Sequence, residues 1–222
     1  ADGMLSGYGG LKSVNWGGFN GWHPTGVIGV LVALLISPVM GLAFAFLLLR
    51  GLRWTSRRWT TRWNLPVRGG GWVAAAGLSF SHGGNDAQKA MGVIAVLLLA
   101  SGETTTLTVP LWVKVVTGVA LTLGTALGGW RIVKTMGQKI TKLKPVGGFC
   151  AETGGAMTLF LATVLGIPVS TTHTITGAIV GVGTQKRMSA VRWAVAGQVV
   201  WAWVLTIPGA FAVGWVASVI IK

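Results

Sequence analysis

Three clusters of cations divide this chain into long, largely apolar stretches, and that alternation decides what it can fold into. Arg50, Arg53, Arg57, Arg58, Arg62 and Arg68 form the first cluster, Arg131, Lys134, Lys139, Lys142 and Lys144 the second, and Lys186, Arg187 and Arg192 the third. A bilayer core takes about 20 apolar residues per helical crossing, and short basic loops between such runs mark the cytoplasmic side. Charged residues are only 10% of the 222, with 18 Lys+Arg against 4 Asp+Glu, while 52% are hydrophobic. A soluble enzyme carries roughly a quarter charged residues, and a disordered basic tail is far less apolar. Both classes are excluded. The net charge of +14 therefore reports topology, and nucleic acid is not an expected partner. The expected fold is an all-α polytopic membrane protein, multi-pass in the cell membrane with the lipid bilayer as its surroundings. Cys150 is the single cysteine, so no intrachain disulfide forms. The residues after Ala1 lack the basic region and apolar core of a secretory signal.

The loops set the direction of each run. Gly26–Leu49 ends in the first basic cluster and is expected to run inwards. Gly71–Ala100 returns outwards, with the polar insert Ser81-His82-Gly83-Gly84-Asn85-Asp86 at its middle, where Gly83-Gly84 permits a break. Ser101–Thr108 has no cation and reads as an external loop, and Val109–Trp130 leads back to the second cluster. Val146–Gly183 then starts at one basic cluster and ends at the next, so it must enter and leave on the same side. Gly166-Ile167-Pro168 breaks it near its centre, with arms of about 20 and 10 residues, the second too short to cross. A re-entrant helical hairpin over about 146–183 is expected. Ser189–Ile221 runs outwards, and Pro208-Gly209 should kink or break it. Trp112 and Trp215 fall at outer boundaries, and Trp72, Trp130 and Trp193 at inner ones, as an aromatic belt requires.

Val32–Gly41 and Trp203–Ala210 resemble each other, each an apolar run, a proline (Pro38, Pro208) and small residues. Gly7-Tyr8-Gly9 and Gly181-Val182-Gly183 lie upstream. The loops give the two segments opposite directions, the pattern of an inverted-repeat transporter. At the same offset, the first repeat's copies of the polar motifs would precede residue 1. The organisation expected is a first-repeat tail at 1–49 (an external segment and one transmembrane helix), a basic cytoplasmic linker at 50–70 and a second repeat at 71–222. A missing first-repeat half-site, and a homo-oligomer, are then expected partners.

Two of the four acids, Asp86 and Glu152, lie inside apolar runs, where an ionised group marks a pathway, a cation site or a proton relay more often than a structural pair. In a helix beginning near Asn85, Asn85, Asp86 and Lys89 share one face. Ser170-Thr171-Thr172-His173 follows Pro168, so the hairpin's return arm would open with three hydroxyls at a helix N-terminus. An ordinary cap uses one hydroxyl; exposed amides and further hydroxyls suit a tetrahedral oxyanion. His173 could bond the anion or carry a proton. A hydrolase built on Ser170, His173 and Asp86 lacks a nucleophile elbow and attack geometry. His23, His82 and His173 have no metal-ligand spacing, so neither an enzyme nor a resident metal or cofactor is expected.

Ser79–Gly92 and Gly166–Thr174, with Gly148–Thr153 between them, resemble the signatures of the inorganic phosphate transporter (PiT) family. The resemblance implies inverted repeats with re-entrant hairpins and symport of inorganic phosphate with sodium or protons. It implies that Asn85, Asp86, Ser170, Thr171 and Thr172 bind substrate. Asp86, Glu152, Lys89 and His173 are the positions expected to couple the ion. Lys89 departs from the sodium-coupled pattern, which has Asn there. A fixed ammonium could replace one sodium, giving proton coupling with metal–phosphate as an alternative substrate. Transport of another oxyanion such as sulfate, and a passive anion channel, are the competing readings.

Overall fold

The computed structural model describes residues 18–20, 23–24, 26–56 and 64–220. The expectations for the N-terminal external segment, for Gly7-Tyr8-Gly9 and for Arg57, Arg58 and Arg62 lie outside these residues. A two-residue antiparallel bridge, β1 (Phe19–Asn20) with β2 (His23–Pro24), pairs Phe19 with Pro24 and Asn20 with His23. The elements described after it are helices: α1 (Gly26–Thr55), α2 (Asn64–Ala100), α3 (Leu111–Lys134), α4 (Pro145–Val164), α5 (Thr171–Lys186) and α6 (Trp193–Ile220). A π-helical turn, Thr135–Ile140, follows α3, and a 3-10 turn, Met188–Ala190, precedes α6.

Three helices among the described residues are long and apolar enough to cross a membrane: α1, α3 over Leu111–Trp130, and α6 over Trp193–Ala217. Helix α2 has 37 residues, about 55 Å at 1.5 Å per residue, but its polar middle keeps it out of that class. The basic segment 50–70 is not all linker, because α1 continues to Thr55 and α2 already begins at Asn64. Neither helix is broken: α2 runs through Gly83-Gly84, where a break was permitted, and α6 through Pro208-Gly209, where a kink or a break was expected. Glycine in a helix costs only about 1 kcal/mol, whereas an unpaired backbone group in hydrocarbon costs several. The helical ladder therefore prevails.

The stretch expected to be re-entrant forms a helical hairpin of α4 and α5, with arms of 20 and 16 residues. Its tip is built from local rules. Gly166 adopts φ +67°, which its lack of a Cβ permits. Ile167 N–H then bonds Ala162 O (2.9 Å) and Gly166 N–H bonds Thr163 O (3.1 Å), closing α4 in a Schellman motif. After Pro168, Ser170 stands as N-cap of α5, its hydroxyl accepting from His173 N–H at 3.4 Å.

Helix α5 packs most extensively on α1, and α4 on α2. Small residues let the backbones meet, as in membrane helix pairs generally. Gly177 lies against the Pro38 carbonyl, Gly181 against Leu42, and Gly154 against Ala45. The main core (Ala45, Leu49, Ile140, Cys150, Ala151, Ala178, Ile179, Val182, Val191) fills the basic end of this four-helix block. A smaller cluster of Ala33, Leu159, Ala162 and Val169, with Leu78 against it, sits under the hairpin tip. The segments on either side of the hairpin clasp each other at its base: Arg192 N–H bonds Ile140 O at 2.9 Å and Thr141 Oγ1 bonds Ala190 O at 3.0 Å. Trp54, Trp72, Trp130 and Trp193 are exposed at the basic helix ends, and Trp112 and Trp215 at the opposite ends, as the belt pattern requires.

Candidate functional site

The hairpin tip meets the middle of α2. Asp86 is the centre of the contact. Its Oδ2 lies 3.0 Å from His82 Nε2, its Oδ1 accepts from Lys89 Nζ at 3.1 Å, and Thr171 Oγ1 donates to Oδ2 at 3.4 Å. His82 and Lys89 lie one turn to either side of Asp86 along the same helix, so the unbroken α2 holds all three on one face. Lys89 Nζ also donates to Val169 O at 2.6 Å. One ammonium thus ties the α2 carboxylate to the hairpin backbone. The cluster is not sealed: the Asp86 side chain is 28% exposed and those of His82 and Lys89 are 41% and 43% exposed.

Asn85, next along the helix, turns towards α4. It is buried, its Nδ2 donates to Thr163 Oγ1 at 3.4 Å, and its Oδ1 has no hydrogen-bond partner among the described residues. The shared face expected for Asn85 and Lys89 is therefore divided between two partners, with Asn85 on α4 and Lys89 on the tip.

The three hydroxyls of the tip do different things. Ser170 caps the helix, Thr171 is buried and reaches Asp86, and Thr172 is exposed. The first two amides of α5, on Thr171 and Thr172, precede the first helical hydrogen bond (Thr174 N–H to Ser170 O, 3.1 Å) and point out of the helix end with its positive dipole. His173 is not brought to Asp86. Two residues on from Thr171 it faces the other side of α5, where its ring stacks on Trp203 at 3.8 Å between centroids. It also reaches the Leu34 carbonyl, the group that Pro38, lacking an N–H, leaves free in α1. His173 thus links three helices.

Glu152 is half-buried on α4, with no ion pair or hydrogen bond among the described residues. It precedes Gly155, which packs against Leu78 and Ile175, and it lies 12 residues, or about 18 Å along the helix, before the end of α4. It is not among the groups that bond Asp86. Sequence reasoning missed two members of the site. His82 was set aside as a metal ligand, although its i, i+4 spacing to Asp86 was readable; Thr163 had no local signal, because only the hairpin fold brings it to Asn85.

Long apolar helices and a helical hairpin, with a part-exposed polar cluster at mid-helix, are the features of a multi-pass helical membrane protein. The profile of the phosphate transporter family matches residues 60–214, and the chain belongs to that family, which is one of transporters and not enzymes. A probable low-affinity inorganic phosphate transporter of Rhizobium meliloti (strain 1021) is 51% identical over 203 residues, covering 90% of this chain and 58% of that protein. One of the same description from Bacillus subtilis (strain 168) is 37% identical, covering 92% and 62%. The solved structure of a sodium-dependent phosphate transporter shares the fold, with a TM-score of 0.67 and 23% identity over 81% of this chain and 62% of that one. The chain thus spans 58% and 62% of the length of the two relatives.

Proposed function

We propose that this chain forms the second repeat, and the tail of the first, of a plasma-membrane symporter of inorganic phosphate. The observation that carries the reading is the meeting of Thr171 and the open end of α5 with Asp86 at the middle of α2. Two amides, the dipole end and the Thr171 and Thr172 hydroxyls offer donors to an oxyanion. A carboxylate beside that oxyanion repels it unless a cation or proton intervenes, which couples anion binding to cation binding. Asn85, one residue before Asp86, holds α2 to α4 through Thr163 beside this site.

The re-entrant path has geometric support. Both ends of the hairpin lie at the basic end of the block, where Arg53 Nη1 donates to Gln185 O at 3.3 Å and Phe149 packs against Gly70. Its tip meets α2 at Asp86, 22 residues or about 33 Å from the start of that helix and 14 residues, about 21 Å, from its end. Helix α1 ends and α6 begins at that basic end, so the two proline-bearing helices run in opposite directions. A first repeat outside these residues would supply the second half-site, with phosphate held between the two and exposed alternately as one repeat rocks against the other.

Lys89 bears on the coupling ion. Its ammonium sits between a carboxylate and a carbonyl oxygen, the kind of oxygen pair that a hard cation would take. We read it as a tethered substitute for one sodium, with protons as the coupling ion and either phosphate or metal–phosphate as cargo. Uptake by the full-length protein in proteoliposomes tests the whole reading: a proton gradient should drive phosphate above its equilibrium level, which a channel cannot do. Competition by arsenate but not sulfate should set the substrate. Strict dependence on sodium would refute the role given to Lys89. Glu152→Gln should abolish coupled uptake while phosphate binding, measured calorimetrically, stays within about threefold of the parent; unchanged uptake would make Glu152 a packing residue.

A further inference from the structure

At the base of the hairpin, three cations gather without an acid. Arg53 closes α1 and is held by its bond to Gln185 O (3.3 Å). Lys144 precedes the first turn of α4, and the Lys186 ammonium, at the end of α5, lies over Gly147. The Lys186 pKa is pushed below its ordinary value by burial and by the charges of Arg53 and Lys144, so the three are close enough to repel. The chain has only four acids, Asp2, Asp86, Glu103 and Glu152, and none of the three within the described residues pairs with this cluster. Like charges held together in this way call for an external anion.

At the same end of the block a cavity of about 390 Å³ opens between α1 and α4, lined by Phe44, Leu48, Gly51, Leu52, Phe149 and Met157 among others; no cation lines it, but Leu52 adjoins Arg53 in sequence and Phe149 follows Lys144 by five residues. Cys150, which also lines it, lies within electrostatic reach of Arg53. The lining is almost wholly apolar, and the exposed Trp54 stands next to Arg53 at the interface level. A free phosphate ion would use the cations and have no use for the groove. A molecule with an anionic head and an apolar tail uses both.

We propose that the cytoplasmic base of the hairpin binds an anionic phospholipid of the inner leaflet, its phosphate among Arg53, Lys144 and Lys186 and one acyl chain in the α1–α4 groove. The proposal rests on the membrane orientation given above and not on what is transported. Such a lipid would neutralise the cluster and hold the two ends of the hairpin against α1 at the membrane surface.

The test is native mass spectrometry of the full-length protein in detergent, titrated with dioleoyl phosphatidylglycerol or dioleoyl phosphatidylcholine. Phosphatidylglycerol should bind in clear preference, and the double variant Arg53→Gln, Lys186→Gln should lower its affinity roughly thirtyfold and leave phosphatidylcholine unaffected. Gly51→Phe, at a position with open space around a side chain, should block the groove and weaken both lipids, while Lys186→Arg should bind as the parent does. Three results would overturn the proposal: no preference for the anionic lipid, as when the rest of the polypeptide covers the groove; a preference that survives the double variant; or displacement by millimolar inorganic phosphate with Gly51→Phe binding normally, which would make the cluster a free-anion site. Thermal unfolding of each variant shows that it is folded. Phosphate uptake is read separately, so failure of the lipid site and failure of the transport reading are distinguishable.

Discussion

Gly177→Val is expected to stop the hairpin docking on α1, and with it the accumulation of folded protein in the membrane. A Cβ at Gly177 would overlap the Pro38 carbonyl oxygen and come to 2.7 Å from its carbon and 2.8 Å from Pro38 Cα. All three atoms are backbone, so no rotamer change relieves the contact. Ordinary overpacking costs about 1–3 kcal/mol because side chains can give way; here the whole of α1 would have to move. A Cβ at Gly181 would come to 2.9 Å from Leu42 Cα, and one at Gly154 to 2.7 Å from the Ala45 nitrogen; both share the seam, so relief at one position strains the next. Gly124→Ala is the comparison, since nothing lies within 4 Å of a Cβ there and alanine favours a helix by up to about 1 kcal/mol. Size-exclusion profiles and thermal melts of detergent extracts measure both. A monodisperse Gly177→Val protein melting within a few degrees of the parent would show that the close seam is not required.

Asp86→Asn is expected to reduce phosphate uptake on the order of thirtyfold or more while the protein stays folded. The substitution keeps the shape and removes the charge that Lys89 and His82 both face. Removing one partner of a fully buried ion pair costs about 3–5 kcal/mol. Asp86 remains 28% exposed, so about 2 kcal/mol is the appropriate scale for the charge's hold on a cation or proton, roughly thirtyfold in that ion's binding. The loss should fall on coupling as well as on binding, because an amide cannot take the proton or hold the cation that brings an oxyanion beside it. Uptake driven by a proton gradient, compared with phosphate exchange without one, separates the two. Equal exchange and equal driven uptake in the variant and its parent would remove Asp86 from the site.

The parts of this arrangement that were readable in the sequence are those set by local chemistry. Gly166 and Pro168 marked the tip, and the cation clusters the end of the block at which the hairpin begins and closes; that one hydroxyl would serve as a cap was readable, but not that Ser170, expected to bind substrate, would be the one. The unreadable parts depend on competition or on distance. Gly83-Gly84 and Pro208-Gly209 look like breaks by propensity alone, yet both helices continue, because apolar surroundings penalise an open backbone more than they penalise a glycine or a proline. The sequence brought His173 together with Ser170 and Thr171 as neighbours, but the register of α5 turns it to the opposite face, onto Trp203 and Leu34. That register begins at Thr171, after the cap, and a shift of one residue would have changed the answer. The seam of Gly154, Gly177 and Gly181 was visible as composition only, since its partners on α1 lie more than a hundred positions away.

The packing also divides the molecule mechanically. Helices α1, α2, α4 and α5 are joined by extensive contacts along most of the hairpin's length, whereas α3 rests mainly on α2 and α6 touches the remainder only sparsely, through the π-helical turn and the Trp203 ring. Helices α1, α4 and α5 meet backbone on backbone, which makes them the least deformable part of the molecule; in the alternating-access cycle proposed above they would move as one body, with α3 and α6 at its margin.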